Sequence, residues 1–163
     1  MHKNASSSAM PWIIGITIVV VLILGVMIAQ NTPSPKTNRE VALSCTTDMA
    51  TQFHIHPKLT ISINGQSQII PADVGESSLC LHPLHTHDAS GVIHVESPEK
   101  RDFRLSDFFA VWDKQFTKDQ ILDYRTDDRH SIHMTVNGQE TSAYEETILR
   151  DNDAIMIAYE EKR

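Results

Sequence analysis

Twice in this chain a run of alternating apolar and polar residues leads directly into Asn-Gly. Leu59, Ile61 and Ile63 alternate with Lys58, Thr60 and Ser62 before Asn64-Gly65, and Ile132, Met134 and Val136 alternate with His133 and Thr135 before Asn137-Gly138. Period-two alternation predicts a strand with one buried face. Asn and Gly both tolerate positive φ, which a two-residue hairpin turn requires. Two hairpins are therefore expected, the first with a return strand over residues 67–71. The segments LTISINGQ and HMTVNGQ lie 73 residues apart, and their likeness is read as the limited vocabulary of hairpin turns. A further strand is expected over residues 91–96. Residues 154–159 are apolar on both parities, as a central strand should be, and Asp151-Asn152-Asp153 turns the chain into them.

Between the hairpins the period changes. Leu105, Phe108, Phe109, Trp112 and Phe116 recur at helical spacing behind Ser106, a good N-cap. That stripe reads as core. Thr117-Lys118-Asp119-Gln120 has capping-box spacing and predicts a second, short helix to Tyr124. Hairpin, strand, helix, hairpin and closing strand make an α+β domain: a mixed β-sheet with one main helix packed across it. The ending ETILRDNDAIMIAYEE resembles the close of ubiquitin-like β-grasp domains, which implies a β-grasp-like sheet.

The N-terminal region has a different character. Residues 11–29 (PWIIGITIVVVLILGVMIA) carry no charge. At the helical rise, about 19 residues span roughly 28 Å, close to a bilayer's hydrocarbon core. Met27 is too large for the small-x-small pattern of a cleaved signal peptide. The segment is read as a single transmembrane helix behind a cytoplasmic tail of residues 1–10. Residues 30–44, with two prolines and polar neighbours, read as an extended linker. Residues 45–163 then form an extracytoplasmic domain held at the cell membrane. The positive-inside signal is slight, because Lys3 precedes the span while Lys36 and Arg39 follow it.

Every Asp and Glu lies at or after Glu40, so the region from there onward carries 21 acidic against 11 basic residues. Phosphate binding needs a basic footprint, and this balance argues against nucleic acid as a partner.

The chemistry-bearing residues are histidines. His54 and His56 form one His-x-His pair, and His85 and His87 form another, followed by His94. Two residues at i and i+2 on a strand face the same side, and neutral imidazole is the commonest metal ligand. His54 and His56 share parity with Lys58, on the polar face. His94 lies opposite Ile93 and Val95 in parity. If the strands bearing His56 and His94 pair, four imidazoles converge. Imidazole-rich ligand sets favour zinc, copper or nickel over calcium or magnesium, and copper or zinc is the expected ion. Asp88 and Glu96 are candidates for ligation or for orienting a ligand's second ring nitrogen. Cys80 is open to two readings, a metal thiolate or a disulfide with Cys45 across 34 intervening residues. His130 and His133 read as surface residues beside a strand, and His82 has no assigned role.

Familiar metal and hydrolase patterns are absent. Gly91 and Val92 stand where a cupin would place its glutamate. Asp88 adjoins His87 instead of following it at the metallo-β-lactamase spacing, no Met follows Cys80 nearby as in cupredoxins, and there is no HExxH or Gly-x-Ser-x-Gly. The span running from HIHPKLTISINGQ through CLHPLHTHDASGVIHVESP and FRLSDFFAVW to the second VNGQ resembles a group of membrane-anchored archaeal and bacterial proteins bearing an LHTHDxSGxIHxE signature. That likeness covers most of residues 52–159 and implies one folded domain without implying an activity. The expected function is a membrane-tethered domain binding one copper or zinc ion through His54, His56, His85, His87 and His94. Two alternatives stay open: a small metal-dependent enzyme using Glu96 or Asp88 as base, and an interaction domain whose histidines shape an interface or a pH-responsive cluster.

Overall fold

The computed structural model describes residues 14–16, 18–23, 34–45 and 51–162. The chain divides into two compact units, Met1–Pro35 and Lys36–Arg163. In the first, residues 14–16 and 18–23 are helical. Among the described residues no helix is long and apolar enough to cross a membrane. The tail of residues 1–10 and the rest of the span expected over 11–29 lie outside the described residues.

The second unit contains helix α1 (Asn38–Ala42), strands β1 (Phe53–Ile55), β2 (Lys58–Ile63), β3 (Gln66–Gln68), β4 (Glu76–Ser77), β5 (Cys80–Leu81), β6 (Leu84–His85) and β7 (His94–Ser97), helix α2 (Leu105–Val111), and strands β8 (Phe116–Thr117), β9 (Gln120–Ile121), β10 (Tyr124–Arg125), β11 (His130–Val136), β12 (Gln139–Glu140) and β13 (Ala154–Glu161). It is an α+β domain made mostly of strands. The main sheet has the order β12-β11-β13-β2-β3. β13 runs parallel to β2, and the other pairs are antiparallel.

Both hairpins turn where the chain carries Asn-Gly. Asn64 and Gly65 have φ of 50° and 79°, and Asn137 and Gly138 have 53° and 77°, the left-handed pair such a turn requires. The alternation also sorts the faces. Leu59, Ile61, Ile63, Ile132, Met134, Ile155, Ile157 and Tyr159 are buried in one core with Phe103, Leu105, Phe108 and Phe109. β13 is central by position, between β11 and β2, but its second face is not covered, and Met156 is exposed.

The helical region departs from the sequence expectation at both ends. The N-cap of α2 is Arg104, whose backbone N–H donates to the Asp107 carboxylate at 2.8 Å, and Ser106 lies in the first turn. The helix stops before Asp113, which takes a left-handed φ of 56°. Phe116 still packs on Phe109, with ring centroids 4.8 Å apart, but it does so from β8. No helix forms over residues 117–124. The Thr117 hydroxyl accepts from the Asp119 N–H two residues on, which makes a turn where a cap was expected. β8, β9 and β10 form a small meander instead.

The expected extended linker over residues 30–44 is helical at Asn38–Ala42, because Thr37 and Glu40 form a complete capping box. This helix belongs to the domain. Ala42 is fully buried, Arg39 pairs with Asp107 at 3.1 Å, and the Asn38 amide donates to the Asp102 carbonyl at 2.9 Å.

A second, three-stranded sheet has the order β1-β7-β6 and is antiparallel throughout. Ile55, Val95 and Leu84 lie side by side in its register and are all buried in the common core. Its opposite face carries the histidines.

Candidate metal centre

The register of the small sheet determines which rings meet. Ile55 faces Val95 across β1 and β7, and Lys58 bridges Val92. Between them the Pro57 carbonyl accepts from Ile93 N–H at 2.9 Å, so His56 falls opposite His94 without a bulge. On the other side of β7, His85 is the register partner of His94. A cross-strand row His56, His94, His85 results, on the face opposite Ile55, Val95 and Leu84. His54, opposite Glu96, and His87, beyond the end of β6, complete the set.

Two loops fix these strands. Thr86 separates the second pair and points the other way, fully buried. Its hydroxyl donates to the Pro71 carbonyl at 2.9 Å and accepts from Val74 N–H at 3.1 Å, while its backbone N–H reaches the Val74 carbonyl at 3.0 Å. Thr86 thus pins this segment to the 71–75 loop and leaves His85 and His87 on the free side. Gly91 returns the chain into β7 with φ of 81°, and a Cβ there would collide with the Leu59 carbonyl oxygen. Glycine is required on both counts.

All five expected imidazoles come together. Ligand atoms of His54, His56 and His94 lie within 4.8 Å of one another, and so do those of His85, His87 and His94. Ring centroids are 4.3 Å apart for His54–His56, 4.8 Å for His56–His94, 4.4 Å for His87–His94 and 4.8 Å for His85–His87. These groups could hold a metal ion.

Outer partners leave the inner nitrogens free. His85 Nδ1–H donates to the His82 carbonyl at 2.9 Å, His87 Nδ1–H donates to Glu76 at 2.9 Å, and His54 Nε2 lies 3.0 Å from Glu96. His56 Nδ1 sits 3.9 Å from Asp151, whose carboxylate also accepts the His56 backbone N–H. A proton held on one ring nitrogen leaves the lone pair on the other, the form a metal requires. His94 Nδ1 is buried with no hydrogen-bond partner. An orphaned acceptor or donor at that depth costs on the order of 1–3 kcal/mol, and a metal–nitrogen bond would satisfy it.

Electrostatics act in the same direction. Burial holds the His85 imidazolium below its ordinary pKa, against the opposing pull of the His82 carbonyl. Burial also lowers His94, and repulsion from His87, His56, His85 and His54 lowers it further. Neutral imidazole, the ligating species, is favoured at both positions.

The remaining candidates have other employment. Cys80 is bonded to Cys45, with Cα atoms 5.1 Å apart, so it offers no thiolate. Asp88 is a turn residue that accepts from Ser90 N–H at 2.8 Å, and the Ser90 hydroxyl, with that N–H, keeps its carboxyl below the usual range. Glu96 orients His54 and receives the Thr51 hydroxyl at 3.4 Å. His82 Nδ1–H donates to the Ala42 carbonyl at 3.2 Å, holding α1 in place. His130 pairs with Asp127 and His133 with Ser131, away from the five. Sequence reasoning missed Glu76, Asp151 and Thr86. The two carboxylates approach only through the tertiary fold, and no local pattern marks them. Thr86 could have been found, since the central residue of a His-x-His strand must face the core.

Among known proteins the chain matches no family model, no curated protein and no solved structure.

Proposed function

We propose that this chain is a membrane-anchored, extracytoplasmic metal-binding domain whose His54, His56, His85, His87 and His94 hold copper or zinc. The observation that carries the reading is the convergence of four imidazoles around a fifth, His94, whose buried Nδ1 has no protein partner. Carboxylates and a carbonyl behind the ligands support it, because such outer partners fix ring orientation and raise ligand basicity. Imidazole-only ligand sets suit zinc and copper. The apolar run of residues 11–29 supports the anchor. A Cys45–Cys80 disulfide supports an oxidising compartment, and hence a domain outside the cytoplasm.

Two further readings belong here. The last strand of the main sheet lies between the leading strands of two hairpins, parallel to one of them, which supports a β-grasp-like classification. The span LHTHDASGVIHVE supports membership of the group of membrane-anchored proteins with that signature.

The deciding experiment is elemental analysis of the untagged full chain in detergent. Bound copper or zinc in at least equimolar amount, lost from the His85→Ala/His87→Ala double variant, is expected. A folded chain that stays metal-free in the presence of micromolar copper and zinc overturns the reading and favours an interaction domain.

A further inference from the structure

The five imidazoles do not form one ring of ligands. Their ring contacts make two triangles with one shared corner. His54 and His56 each meet His94, at 5.8 and 4.8 Å between centroids. His85 and His87 each meet His94, at 5.5 and 4.4 Å. Among the described residues, no ring contact joins the first pair to the second. The same division appears in the ligand atoms, which group as two sets of three that have only His94 in common.

The topology explains the division. His94 is on the central strand of the β1-β7-β6 sheet. One His-x-His pair comes from the β1 side and the other from the β6 side, so His94 has a pair on each flank.

We propose that the site holds two divalent transition-metal cations, one in each triad, with His94 as the ligand common to both. This rests on the metal-binding reading above and replaces its single ion with a pair. An imidazole has two nitrogens and can serve two ions, one on each. The second ion takes the place of the remaining N–H proton, which leaves to solvent, so the bridge is an imidazolate carrying one negative charge. His94 suits that role because its Nδ1 is not committed to any protein group, whereas His54, His85 and His87 each have one nitrogen engaged.

Two nearby dications repel each other, and the site needs negative charge on both flanks. It has it. Glu96 lies against His54 at 3.0 Å and Asp151 against His56 at 3.9 Å, on the first triad. Glu76 lies against His87 at 2.9 Å, on the second. With the bridging imidazolate, these carboxylates offset most of the charge of two ions.

Copper(II) chloride is the probe, added to the untagged full chain in detergent and followed by gel filtration. Copper content and electron paramagnetic resonance are then measured. Two coppers per chain are expected, with a spin signal well below two equivalents and a half-field transition, because a shared imidazolate couples the two spins. His54→Ala and His87→Ala, both at exposed rings, should each bind about one copper and give an uncoupled signal of full intensity. One copper in the wild type, with both variants losing it, means a single ion that draws on both pairs. That result overturns the two-ion proposal and leaves the metal-binding reading standing. Two coppers with uncoupled, full-intensity spins overturn the bridge. A folded chain with no copper overturns both.

Discussion

At the scale of the residue, several of the rings are positioned by neighbours that are not histidines. Thr86 is the clearest case. Its hydroxyl satisfies a buried N–H and a carbonyl of the 71–75 loop, and in doing so sets the direction of His85 and His87. Thr86→Val keeps the shape and removes both bonds. It should lower unfolding stability by about 1–3 kcal/mol, the cost of leaving such groups unpaired, and weaken metal binding. Thr86→Ser should restore most of both, as read by denaturant titration and metal affinity. Protonation gives a second prediction. His85 and His94 have pKa values below the ordinary imidazole value, so below about pH 6.5 the unfolded chain takes up protons that the folded one refuses. Stability of the metal-free protein should be flat at neutral pH and fall as pH drops through that value toward the folded-state pKa values. The same protons compete with a metal, so the loaded protein should lose its ion over this acidic range. Thermal denaturation between pH 7.5 and 5 checks the sign, and a rise in stability on acidification would refute it.

At the scale of the element, a small sheet does the assembling. Its alternation puts Ile55, Val95 and Leu84 into the core and His56, His94 and His85 onto the opposite face, so the burial of the apolar side fixes the register that aligns the rings. This much was legible. The parity of His54, His56 and His94 can be read along the chain, as can both Asn-Gly turns and the aromatic stripe of α2. What could not be read were partners brought in from elsewhere. Glu76 and Asp151 lie outside the histidine segments, and nothing local ties them to His87 and His56. The 117–124 segment failed for another reason, because Thr117 hydrogen-bonds two residues ahead and forms a turn. α1 was not legible because the prolines before it favour extended backbone, while the Thr37–Glu40 capping box starts the helix directly after them. The disulfide joins Cys45, three residues beyond the end of α1, to Cys80 in β5. A Cys45→Ala/Cys80→Ala variant should lose about 3–4 kcal/mol of stability, by the loop-closure estimate for 34 enclosed residues. It should keep its metal stoichiometry, because neither sulfur is a ligand. Loss of metal from a variant that remains folded would contradict this placement.

At the scale of the whole molecule, the domain is an acidic α+β unit in which the main sheet supplies the frame and the second sheet carries the clustered histidines. A ligand that binds only the folded state stabilises it by mass action, by about 4 kcal/mol at a thousandfold excess over its dissociation constant. Removing metal with a chelator should therefore lower the melting temperature by several degrees and broaden amide exchange in β1, β6 and β7 first. Calorimetry and hydrogen exchange with and without chelator test this. An unchanged melting temperature on loading would show that the ion, if bound, is not held by the folded arrangement of strands.

His94 lies on the central strand, between one histidine pair from the β1 side and one from the β6 side. A nascent polypeptide in which only one flanking segment has docked offers three imidazoles at most, and one with neither docked offers scattered pairs. Full occupancy of a metal site built on these rings would thus report that β1, β6 and β7 have all found their places.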